Sequence, residues 1–114
     1  MFRFDKHERD GVTVLVLHGS LDALTAAGLK AEVVAIADAK TMKVVVDLEP
    51  LSLIDSTGVG VLISLFKRVR ALEGQVFFSG LRAQPKEVFR LLRLDRSLDL
   101  HPTASEAVDK IRKS

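Results

Sequence analysis

Between Met42 and Leu72 the hydrophobic pattern changes period. Val44-Val45-Val46 is a continuous β-branched run ending on Asp47, a turn carrying Pro50 follows, and Leu53-Ile54 lead into Asp55-Ser56-Thr57-Gly58 and an apolar segment of helical spacing. A nearly continuous β-branched run suits a strand covered on both faces, so Met42–Leu48 is predicted as the central strand. A helix is predicted from Thr57 to about Leu72, closed by Glu73-Gly74, with Gly74 as the natural residue just past its end.

The same periodicities order the rest of the chain. Phe2 to Arg9 alternates weakly and Val12–Leu17 is apolar, so the two are predicted to pair as a hairpin around Asp10-Gly11, a dipeptide suited to positive φ. Gly19-Ser20-Leu21-Asp22 ends that second strand. Leu24, Ala27, Leu29, Val33, Val34 and Ile36 or Ala37 recur at near-helical spacing, predicting a first helix from about Ala23 to Ala39 with Asp22 as its cap. Gln75 to Gly80 reads as a buried strand. Pro85 opens a third helix carrying Val88, Phe89, Leu91, Leu92 and Leu94, and Leu98 to His101 is a short edge strand. Thr103 and Glu106 form a capping-box pattern for a last helix reaching about Ile111. The order β-β-α-β-α-β-α-β-α implies right-handed crossovers. It gives an α/β fold with a mixed, mostly parallel sheet, an N-terminal β-hairpin and about four helices, in one domain spanning residues 1–114.

On the second helix, Val59, Leu62, Ile63, Phe66 and Val69 form one stripe that belongs to the core. Val61, Leu65 and Leu72 widen the apolar arc to half the circumference or more, beyond what a helix on one sheet needs. Two explanations fit. Either a neighbouring helix buries the extra width, or it is an exposed strip that docks a partner, flanked by Lys67, Arg68 and Arg70.

Composition narrows the function classes. The chain is 47% hydrophobic and 28% charged, which suits a folded soluble domain rather than a disordered one. There is no cysteine, which removes disulfides, thiolate chemistry and cysteine-ligated metals. The net charge is only +2, and aromatics are 5% with no Trp or Tyr, so nucleic-acid binding is not expected. No apolar run is long enough to span a bilayer and the opening MFRFDKHERD is too charged for a signal peptide; the expected location is the cytoplasm, without membrane insertion.

The candidate chemistry gathers before the second helix. Ser56 and Thr57 stand where a hydroxyl can cap a helix start. The same position offers free N–H donors and the positive end of the helix dipole, so it tolerates an added phosphate. Asp55 can orient the hydroxyl, act as a metal-side carboxylate, cap the helix, or take part in recognition. Gly58 and Gly60 allow a close approach by a neighbour or by a partner's backbone. They are not part of a phosphate-binding P-loop, because no Gly-Lys-Ser/Thr ending follows. His7, His18 and His101 lack ligand spacing and no Ser/His/Asp triad is readable, so neither a metal, a cofactor nor an enzyme activity is expected.

Asp47-Leu48 followed by Ile54-Asp55-Ser56-Thr57-Gly58-Val59-Gly60-Val61-Leu62 resembles the signature of STAS domains of the anti-sigma-factor antagonist family. Gly19 to Asp22 matches a second, shorter element of that family, with Ser20 where many relatives carry an acidic residue. The resemblance covers essentially the whole chain. It implies a phospho-acceptor at Ser56, with Thr57 as a minor alternative, and partner contacts through Asp22, Asp55, Ser56, Thr57, Gly58, Gly60, Val61 and Leu65. It also implies the partners: an anti-sigma factor with a serine-kinase domain, and a phosphatase. The chain itself is expected to be a monomer or weak dimer. A response-regulator receiver, with Asp47 as acceptor, is rejected: no acidic pair follows the first strand and Leu98 to Pro102 holds no lysine. Two other classes stay open, a STAS docking subunit of a lipid-transport or stress-signalling complex without phosphorylation, and a nucleotide-binding protein.

Overall fold

The computed structural model describes residues 1–114. The hairpin forms as the pattern requires. β1 (Phe2–Arg9) and β2 (Val12–Leu21) pair antiparallel from Phe2 opposite Gly19 to Arg9 opposite Val12, and Asp10 and Gly11 take φ of 54° and 80° in the two-residue turn. β2 runs on through Gly19-Ser20-Leu21 rather than ending before them.

The other strands are β3 (Lys43–Asp47), β4 (Leu51–Ile54), β5 (Gln75–Ser79) and β6 (Asp99–His101). They form one sheet in the order β1-β2-β3-β5-β6, and every pair except β1–β2 is parallel. β4 lies where the sequence pattern predicts a loop. β3 pairs with β2 over Thr13–Val16; after the turn at Pro50 the chain rejoins β2 through Leu51, Leu53 and Ile54, opposite Gly19, Ser20 and Leu21. One long strand thus serves two short ones.

The helices are α1 (Ala26–Asp38), α2 (Ser56–Ala71), α3 (Ala83–Leu91), the single turn α4 (Leu94–Ser97) and α5 (Ala104–Arg112). Strand residues alternate between two cores, which explains the continuous apolar run. Val44, Val46, Val76 and Phe78 face a core shared with Leu29, Val33 and Ile36 of α1, Leu62, Leu65 and Val69 of α2, and Phe89 of α3. Val45 and Phe77 face the opposite side, against Ala107, Val108 and Ile111 of α5. Thr103 caps α5 by accepting from the Glu106 N–H at 3.1 Å, as the capping pattern predicts.

Three boundaries differ from expectation. The third helix breaks at Arg93, which has φ of 59°, so Leu94 begins α4 and Leu91 and Leu92 are exposed. At the end of α2 it is Glu73, with φ of 66°, that adopts the left-handed conformation, while Gly74 donates back to Val69 O at 2.9 Å. Gly74 is small for another reason: a Cβ there would lie 2.6 Å from Met42 O. Finally, α1 starts at Ala26 rather than Ala23. Residues 22–25 instead form a turn in which Thr25 N–H donates to Asp22 Oδ1 at 3.1 Å, Asp22 N–H donates to Thr25 Oγ1 at 3.0 Å, and the Thr25 hydroxyl donates to Ser20 O at 2.8 Å. A side chain able to accept the local N–H groups competes with the first helical turn.

Candidate functional site

β2 and β4 are parallel neighbours, and a helix leaves the end of each, so α1 and α2 pack side by side with their starts at the same edge of the sheet. The two starts are joined by one carboxylate. Asp55 Oδ1 accepts from Gly58 N–H at 2.9 Å, and Asp55 Oδ2 accepts from Ala23 N–H in the Asp22 turn at 3.2 Å. Asp55 is therefore the N-cap of α2, in extended backbone geometry (φ −113°, ψ −175°), a role worth about 1 kcal/mol. The strand edge leading to it is held by Gln84, whose side chain accepts from Ile54 N–H at 2.9 Å and donates to Ile54 O at 3.0 Å.

Because Asp55 does the capping, Ser56 does not. Ser56 is the first residue of α2 and is exposed, and Thr57 behind it is half-buried. Both hydroxyl residues line a groove of about 420 Å³ between α1 and α2, with Lys30, Val33, Val34, Gly60, Val61, Ser64 and Arg68. A Cβ added at Gly60 would meet nothing within 4 Å, so this glycine leaves the groove wall open rather than admitting a close neighbour.

The structure thus brings Asp22, Asp55, Ser56, Thr57, Gly60 and Val61 to one edge and separates two residues from them. Gly58 is buried: a Cβ there would lie 2.7 Å from Leu21 O and 2.8 Å from Ile54 Cγ1, so its smallness serves packing within the chain. Leu65 is 0% exposed and Val61 only 3%, because α1 covers the widened arc of α2. The explanation by a neighbouring helix holds. Leu65 and Gly58 are core residues and cannot touch a partner in this conformation, and Val61 offers only the groove floor.

The edge also holds residues that the sequence pattern does not point to. Leu24, which the helical spacing predicts on the buried face of a helix, lies in the Asp22 turn and is 94% exposed; Val34, predicted likewise, is 42% exposed beside the groove. Ser64 accepts from Arg68 Nε–H at 3.2 Å, which orients that guanidinium along the groove. Lys30 faces the groove from α1. Leu24 carried a usable signal, since it sits next to Asp22 and before Thr25, two turn-forming residues. The resolved perturbations of ionisable groups lie elsewhere: a hydrogen bond from Arg90 holds the Glu87 carboxyl below its ordinary range, on the exposed face of α3, and the same bond raises the Arg90 pKa.

The family model for the STAS domain matches residues 3–107. BtrV of Bordetella bronchiseptica, provisionally named an anti-sigma factor antagonist, is 32% identical over 82 residues, which is 72% of this chain and 71% of that protein. An anti-sigma factor antagonist from Mycobacterium paratuberculosis superposes with a TM-score of 0.89 at 22% identity, over 98% of this chain and 95% of the other. The Bacillus cell fate determinant SpoIIAA in its phosphorylated form superposes with a TM-score of 0.76 at 22% identity, over 96% and 99%. No helix is long and apolar enough to cross a membrane.

Proposed function

The chain belongs to the STAS domain family and is related to anti-sigma factor antagonists, and on that premise we propose that it is a cytoplasmic partner switch controlled by phosphorylation of Ser56. In this reading the unphosphorylated chain binds an anti-sigma factor that carries a serine-kinase domain, and the sigma factor is released. The kinase then transfers the γ-phosphoryl group of ATP: the Ser56 Oγ–P bond forms, the bond from that phosphorus to the ADP oxygen breaks, and the hydroxyl proton leaves. A separate phosphatase restores the serine. The chain contributes the acceptor and the docking edge and performs no catalysis of its own.

The observation that carries this reading is the division of labour at the start of α2. Asp55 caps α2 through the Gly58 N–H and leaves the Ser56 hydroxyl at an exposed position. A phosphate there adds about two negative charges to a docking edge, next to a carboxylate. The positive end of the helix makes that addition tolerable for the fold. For the complex it adds desolvation and repulsion against any acidic partner surface.

The test is reconstitution. Added to a preformed complex of the anti-sigma kinase with its sigma factor, the unphosphorylated chain should liberate sigma in proportion to the amount added. ATP should reverse the release over time with wild type but not with Ser56→Ala. Sigma that stays bound at excess chain would reject the switch.

A further inference from the structure

The groove between α1 and α2 has an unbalanced chemistry. Its floor is Val33 and Val61, one rim is the half-exposed Val34, and Lys30 and Arg68 are its charged lining residues, with Ser56, Thr57 and Ser64 supplying hydroxyls. No carboxylate lines it. Neither cation is neutralised elsewhere, since the chain's ion pairs join Arg3 and His18 to Asp5, Lys6 to Glu32, Arg90 to Glu87 and Arg112 to Asp109. The acid closest in sequence to Lys30, Glu32, is committed to Lys6 at 2.7 Å.

Side chains on a helix lean toward its N-terminus. Lys30, about one turn into α1, leans toward the start of α2 and Ser56, while Arg68 stands at the far end, steadied by Ser64. From Thr57 to Arg68 the groove runs roughly 16 Å at about 1.5 Å per residue, three turns of a helix.

We propose that this groove docks an acidic, amphipathic segment of the partner, with carboxylates on Lys30 and Arg68 and an aliphatic side chain against Val34, the groove's exposed apolar residue. The proposal rests on the partner-switch reading and names the partner's chemistry. It also gives the phosphate a second effect. A phosphoryl group on Ser56 competes for Lys30 and repels the incoming carboxylates, so modification withdraws the groove's positive end as well as adding charge.

The test needs neither a kinase nor phosphorylation. A helix-forming peptide of about 15 residues, with Leu and Glu on one face, is titrated into the ¹⁵N-labelled full chain, alongside a counterpart with Lys in place of Glu. The Glu peptide should give saturable amide shifts centred on Lys30, Val34, Gly60, Ser64 and Arg68, and the Lys peptide none. The double variant Lys30→Glu, Arg68→Glu should weaken binding about tenfold or more; the double Gln variant should weaken it less and serves if charge reversal perturbs folding. Overturning results are the absence of binding by the Glu peptide, shifts centred instead on the Lys110, Arg112 and Lys113 end of α5, or affinity unchanged in both double variants. Loss of the groove result with Ser56 still phosphorylated would sink only this proposal. Peptide binding with Ser56 never phosphorylated would sink only the switch.

Discussion

Replacing Ser56 with Asp should weaken binding to the anti-sigma kinase about 100-fold, while Ser56→Ala should bind within a few-fold of wild type. The substitution places a fixed charge at a docking edge, where a like-charge juxtaposition costs several kcal/mol and each 1.4 kcal/mol is about a factor of ten. Asp carries about half the charge of a phosphoserine, so full phosphorylation should exceed this effect. Stability separates a docking effect from a folding one. Ser56 is exposed at the first position of α2, where an acidic residue favours the helix dipole by about 0.3–1 kcal/mol, so the Asp variant should melt at or slightly above wild type. Calorimetric titration and a thermal melt on the same samples read both quantities. An Asp variant that binds like wild type would show that Ser56 lies outside the interface.

Leu65→Ala should lower folding stability by about 2–5 kcal/mol, the range for emptying a fully buried leucine site. Leu65 is 0% exposed in the core shared by α1, α2 and the sheet, so the substitution leaves a cavity under α1 rather than a gap in a docking surface. For a domain with about 5–15 kcal/mol of total stability this is a large share, and it should appear as a drop in Tm of roughly 10 °C or more. Urea unfolding monitored by far-UV circular dichroism gives the free energy directly. A variant within about 0.5 kcal/mol of wild type, the usual effect of a surface change, would mean that α1 does not cover α2 as described.

Those two residues mark what local sequence reveals and what it hides. Asp55-Ser56-Thr57-Gly58 was legible because a helix start is specified within four residues: an acceptor side chain, free N–H donors and a small residue. Even there the capping role fell to Asp55 and not to the hydroxyls, since Asp55 is the residue in extended geometry with two N–H groups in reach. The hairpin at Asp10-Gly11 and the cap at Thr103 were legible for the same reason. β4 was not: Pro50 and the short Leu51–Ile54 segment look like loop until the unused upper half of β2 is there to pair with them. The burial of Leu65 was undecidable from one helix, because a wide apolar arc fits a covering helix and a docking strip equally well. Lys30 is the extreme case. Nothing near it in the chain distinguishes it from a solvated lysine, and its place in one groove with Ser56 exists only once β2 and β4 align their helices.

The most direct measurement is intact-mass and phosphosite mapping of the protein purified from its own cells, with Ser56→Ala in parallel. The expected result is a single phosphate on Ser56 in wild type and none in the variant. An unmodified wild type under every growth condition, or a phosphate that persists in Ser56→Ala, would contradict the assignment of Ser56 as the switch.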